Sequence, residues 1–196
     1  MDWTLGLITP RILQKMNFIQ EIVRKYKGEY TELDKREFHT PEGKYATQFQ
    51  EGIIIVDEIK FSISQNKSVG INFNSVAANE IYNEPIRIFL HLEKDEKTLY
   101  IYPKNIVQKA FYYIKNGETD NQFVYKGKNK VIKQLKQNKE LIKKLKDESL
   151  YISISEKYPS KIMITPRNGI EDSFVFEKYI EILKIISSKI KKPNNT

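Results

Sequence analysis

Between Gly28 and Lys104 the apolar residues recur at every second position, and no stretch of clear helical spacing separates one run from the next. Strands that follow one another without crossover helices pair antiparallel, because a parallel neighbour needs a connection of a dozen or more residues. The runs read as strands at Glu29 to Phe38, Lys44 to Gln50, Gly52 to Ser64, Ser68 to Asn74, Pro85 to Glu93 and Thr98 to Tyr102. Turn residues at His39 to Gly43 separate the first two, and the long third strand has a candidate bend at Asp57 and Glu58. Lys94 to Lys97 reads as the loop of a hairpin joining the last two. In the run from Ile86 to Glu93, Ile86, Ile88, Leu90 and Leu92 alternate with Arg87, Phe89, His91 and Glu93. One face is therefore buried and the other mixed.

Helical spacing flanks this block. Thr9 and Pro10 suit a helix start, Ile12, Met16, Ile19, Val23 and Tyr26 form one stripe, and Gly28 stands where a left-handed C-terminal residue belongs. The spacing predicts a helix over 10–27. Ala77 to Ile81 reads as a short helical turn, and Asn105 to Lys115 fits neither period. After a strand at Gln122 to Lys126, Asn129 caps a stripe of Val131, Ile132, Leu135, Ile142 and Leu145 that Asn138 interrupts. Residues 130–147 are thus one kinked helix or two. A hairpin follows, Leu150 to Glu156 and Lys161 to Thr165 around Tyr158-Pro159-Ser160. Asp172 or Ser173 then opens a last helix with Phe176, Tyr179, Ile180, Leu183, Ile186 and Ile190 on one face.

The order implies an α+β fold: a mostly antiparallel sheet with an N-terminal helix, a Lys-rich helix near 130–147, and a C-terminal helix packed on it. At 196 residues one domain over 1–192 with a frayed tail at 193–196 is the expected division. A two-lobed split near 105–120 is the alternative. A chain of this size buries about 70% of the surface its unfolded form exposes, so it needs no disulfide staple. It has none available, since cysteine is absent, and that also removes thiolate nucleophiles, iron–sulfur clusters and cysteine zinc sites. A reducing cytoplasm fits this composition. The first residues lack a basic leader, and Lys or Glu interrupts every apolar stretch short of a membrane span.

Few catalytic constellations are present. His39 and His91 are isolated, no Gly-x-Ser-x-Gly elbow exists, and Gly127-Lys128 lacks the upstream glycine of a phosphate loop. One spacing carries an enzymatic reading. In Asp57-Glu58-Ile59-Lys60 the acidic-x-Lys pattern resembles that of Mg²⁺-dependent nucleases, with Asp57, Asp34 or Glu42 as the further acid. A second reading rests on the lysines of 126–146, opposed nearby only by Glu140, Asp147 and Glu148. Lys133, Lys136, Lys143 and Lys144 are the candidate phosphate contacts. Those lysines have no arginine among them and no aromatics along the helix on which bases could stack, which favours a solvated face.

The stretch Phe123, Val124, Lys126, Gly127, Asn129, Val131, Ile132, Leu135, Asn138, Leu141 and Leu145 resembles a poorly characterised bacterial α+β family. The hairpin and helix that continue to about residue 190 keep that family's order, and Phe18-Ile19 with Tyr26-Lys27-Gly28 is similar to its early helix. The resemblance implies a fold and a bacterial setting, and no catalytic residue. Members often carry membrane helices, which this chain lacks. The leading expectation is a non-enzymatic cytoplasmic domain without a cofactor. It engages a protein partner, in an accessory or immunity-type role, through a sheet face or strand edge, with tyrosines such as Tyr100, Tyr102, Tyr112 and Tyr113 as contact residues and self-association as a further option.

Overall fold

The computed structural model describes residues 17–33, 36–40, 43–72, 80–83, 85–105, 122–170 and 172–191. Helix α1 is Phe18–Lys25. Strands β1 Glu29–Glu32, β2 Arg36–Thr40, β3 Gly43–Val56, β4 Ile59–Asn72, β5 Glu80–Asn83, β6 Arg87–His91, β7 Leu99–Pro103 and β8 Phe123–Lys126 follow. Two short helices, α2 Asn129–Lys136 and α3 Lys139–Leu145, lead to strands β9 Leu150–Ser155 and β10 Tyr158–Pro166 and to helix α4 Ser173–Lys191. The strands form one ten-stranded sheet in the order β1-β3-β4-β6-β10-β9-β7-β8, with β2 on β3 and β5 on β4. Every pairing is antiparallel, so the α+β expectation holds.

Alternation decides which face is covered. Across the sheet, Phe61 lies opposite Leu90 and Leu90 opposite Ile162, while Ile164 pairs with Ile152 and Ile152 with Ile101. All of these are at most 1% exposed. Burying each such side chain contributes about 1.5–3 kcal/mol. The helices supply the other wall with Ile19, Ile22, Leu135, Leu141, Leu145, Phe176, Ile182, Leu183 and Ile186, in one continuous core. Phe176 of α4 ties α1 in, its ring 6.2 Å from Phe18 and 6.1 Å from Tyr26.

Several boundaries depart from the sequence reading. The chain does not bend at Asp57 and Glu58 but reverses there: both have positive φ, 49° and 64°, the geometry of a two-residue hairpin turn matching strand twist. What reads as separate strands on either side of Glu51 is one fourteen-residue strand, β3, paired with β4 from Gly43↔Asn72 to Val56↔Ile59. The first ragged strand divides into β1 and β2. The positive φ after α1 belongs to Lys27, at 51°. Gly28 is required for a different reason, since a β-carbon there would stand 2.1 Å from the Ile53 carbonyl oxygen. Asn17 caps α1 by accepting a hydrogen bond from the Gln20 amide, and the Gln20 side chain reaches back to the Asn17 amide. Asn138 accepts from the Leu141 amide, so the Lys-rich segment is two helices, and α2 starts at Asn129 without a side-chain cap. Asp172 caps α4 through the Val175 amide.

The largest correction concerns β6 and β7. They are joined by the short loop through Lys94 to Lys97 but do not pair, because the β9–β10 hairpin lies between them. The loop bridges that hairpin's end, with the Leu92 amide donating to the Ser160 carbonyl and the Glu96 amide to the Pro159 carbonyl. Each strand is short and alternating, so local pattern specified the strands but not the order in which they sit. The expectations at Thr9 to Met16, Ala77 to Asn79, 106–121 and 192–196, including the split near 105–120, lie outside the described residues. Among the described residues no helix is long and apolar enough to cross a membrane.

Candidate functional site

The sheet face turned away from the helices carries the odd partners of the buried positions. Its central row runs Lys126↔Tyr100↔Ser153↔Met163↔Phe89↔Ser62 across β8, β7, β9, β10, β6 and β4. One step along, Lys161 pairs with His91, and on the other side Thr165 pairs with Tyr151. Tyr102, two residues from Tyr100, belongs to the same face. Tyr151 is 50% exposed, Tyr100 40% and Tyr158 37%, a degree of exposure unusual for rings that could fill a core.

At the β6 end the aromatic and basic groups pack together. The Phe89 and Tyr158 rings meet edge to face at 6.0 Å. The Lys161 ammonium lies 5.5 Å from the Phe89 centroid and 5.9 Å from that of Tyr158, and Lys157 lies 5.3 Å from Tyr158. At the other end Lys126 stands 5.5 Å over the Tyr102 ring. Ser62, buried on this face, lies 3.0 Å from His91 Nε2. Burial, reinforced by the ammonium groups of Lys161 and Lys60, pushes the His91 imidazole down to about 4. His91 is therefore neutral near pH 7 and adds no charge to the site.

On the helix side five lysines are neutralised, Lys25 by Glu177 at 2.5 Å, Lys184 by Asp57 at 2.6 Å, Lys191 by Glu93 at 2.7 Å, Lys144 by Glu181 and Lys178 by Glu148, whereas Lys133 and Lys143 of the short helices have no carboxylate within 4.0 Å among the described residues. On the open face Lys60, Lys126, Lys157 and Lys161 have no carboxylate within 4.0 Å among the described residues. Within the paired strand residues from β4 to β8 in sheet order, none on that face is acidic, and Glu156 stands next to Lys157 in the β9–β10 turn.

The nuclease residues are dispersed. Glu58 is exposed in the hairpin turn, Asp57 turns to Lys184 on the helix side, and Lys60 lies on the open face opposite Ile55. Asp34 and Glu42 lie outside the described residues, and among the described ones no group of His, Asp and Glu is arranged to hold a metal ion. Of the helix lysines, Lys144 is engaged by Glu181 and by Glu140 at 3.9 Å, and Lys136 lies 5.8 Å over the Tyr125 ring on the helix side. Lys133 and Lys143 are exposed. Tyr112 and Tyr113 lie outside the described residues. Sequence reasoning passed over Tyr151, Tyr158, Lys157 and Lys161. The signal that could have found them is their place at strand positions that alternate with Ile152, Ile154, Ile162 and Ile164, but their proximity to Tyr100 depends on the strand order.

No protein family, no curated protein and no solved structure matches the chain. Its function must therefore be argued from the face itself.

Proposed function

We propose that this chain is a non-catalytic binding domain that takes an anionic macromolecule on its open sheet face. The observation that carries this reading is the coincidence of charge and exposed rings on that face: Lys60, Lys126, Lys157 and Lys161 have no carboxylate within 4.0 Å among the described residues and share the face with exposed tyrosines. Unpaired cations on an exposed face concentrate a polyanion, and tyrosines add contact area at small entropic cost. A protein with an acidic surface is one partner class that fits, favoured by the combination of tyrosine with Met163, since both residue types are enriched at interfaces.

The test is a map of amide chemical-shift changes as soluble polyanions of several kinds, polyglutamate and heparin among them, are added at low salt. Changes centred on Tyr100, Tyr151, Ser153, Met163 and Lys161 are expected. Changes confined to α2 and α3, or none with any polyanion, would sink the reading.

A further inference from the structure

We infer that the open face binds single-stranded nucleic acid, with Tyr100 and Tyr151 as stacking platforms for unpaired bases and Lys60, Lys126, Lys157 and Lys161 as phosphate contacts. This rests on the binding reading above and names its ligand. Two observations favour a nucleic acid over an acidic protein.

The first is interleaving. Cations and rings alternate across neighbouring strands: Lys126 is opposite Tyr100, Lys161 lies within 6 Å of both the Phe89 and Tyr158 rings, and Lys157 lies 5.3 Å from that of Tyr158. A base on a ring therefore has an ammonium within reach of its own phosphate, which is the combination single-strand binders use. Lysine is depleted at the centre of protein interfaces, so this density of it argues against a protein partner.

The second is shape. A broad antiparallel sheet offers no helix or ribbon to enter a major groove, but splayed bases can lie flat on it. A duplex keeps its bases stacked on one another and cannot use the tyrosines.

Around the tyrosines stand Met163, Ser153 and Thr165, and Arg87 of β6 lies on the same face opposite Ser64. Stacking is open to every base and lysine meets phosphate as a point charge, so the rings and lysines confer affinity without strong sequence preference.

The experiment titrates the full chain with fluorescent oligo(dT), oligo(U), a duplex of equal length and fluorescent polyglutamate, from 50 to 200 mM salt. Both single strands are expected to bind, the duplex more weakly. If all four lysines meet phosphates, the log–log salt slope is about −3 and affinity falls about fifty-fold over that range. Tyr100→Ser and Tyr151→Ser should each weaken binding roughly tenfold, as loss of one stacked base predicts. Lys60→Gln with Lys161→Gln should flatten the slope by about half. The triple change of Lys133, Lys136 and Lys143 to Gln should leave affinity unchanged within about twofold if those lysines lie outside the site.

Polyglutamate binding that depends on the same tyrosines, with no binding of single strands, overturns the ligand and keeps the binding face. No binding of any polyanion at 50 mM salt overturns both. Single-strand binding that is indifferent to the tyrosines, or that is lost in the helix triple variant, overturns the assignment of the site. Should a tyrosine variant fail to fold, the ring-proton resonances of Tyr100 and Tyr151 in the unaltered protein are followed as oligo(dT) is added: upfield shifts report stacking on those rings, and their absence counts against the proposal.

Discussion

Gly52 of β3 lies directly beneath Val23 of α1: a β-carbon on Gly52 would stand 2.5 Å from Val23 Cγ2 and 2.9 Å from Ile19 Cγ2. The helix therefore rests on bare backbone, and its distance from the sheet is set by a missing side chain.

Gly52→Val is expected to lift α1 from the sheet and cost about 1–3 kcal/mol, the range for overpacking a core. Gly52→Ala should cost less than Gly52→Val. Urea unfolding followed by circular dichroism gives the order, and a neutral Gly52→Val would contradict the close seating of α1.

His91 should remain uncharged through the physiological range, with its imidazole resonances moving only as pH approaches about 4. Its folded value lies below the ordinary one near 6.5, so protonation favours the unfolded chain. The stability it contributes is present above pH 6.5 and is lost as pH falls towards 4. Lys161→Gln removes one of the two nearby cations and should move the titration upward. Proton-detected titration of both proteins checks the sign.

Burial pushes the Tyr125 phenol up to about 12. The same sign applies to Tyr179, raised by burial and by the Glu148 carboxylate that accepts its hydroxyl hydrogen bond at 2.9 Å. Both favour the neutral form in the fold, so their contribution is intact below pH 10 and lost as pH rises beyond it. Tyr125→Phe is expected to flatten the decline in melting temperature between pH 10 and 12.

The hairpin turn places Glu58 at φ 64°, a conformation that glycine adopts without the penalty a side chain brings. Glu58→Gly should raise stability by a few tenths to about 1 kcal/mol, since the turn geometry prefers glycine at its second position. A thermal melt decides this. The same variant should leave any nucleic-acid binding unaltered, because Glu58 lies outside the proposed contacts.

How far the sequence was legible depended on whether a feature is local. Asn138 and Asp172 cap their helices through their own neighbours, and the alternation of Ile86, Ile88, Leu90 and Leu92 shows in a single strand, so these could be read directly. The turn at Asp57 and Glu58 was harder, because neither residue is the glycine or asparagine that normally marks positive φ. Nothing local sets β9 and β10 between β6 and β7. The candidate site inherits that difficulty: Tyr151 and Lys161 share one hairpin, but Tyr100 lies some fifty residues earlier and joins them only through the sheet order.

That sheet order also has a consequence in time. β6 and β7 are close in sequence, yet each must leave one edge unsatisfied until a hairpin made some fifty residues later arrives to fill the gap. During synthesis β6 and β7 therefore emerge before the strands that pair with their inner edges, and premature pairing of β6 with β7 would be a trap. The loop amides of Leu92 and Glu96 bond to Ser160 and Pro159, contacts that only the inserted hairpin supplies. Formation of the whole sheet waits on the C-terminal third of the chain, and folding that depends on so distant a contact is slow.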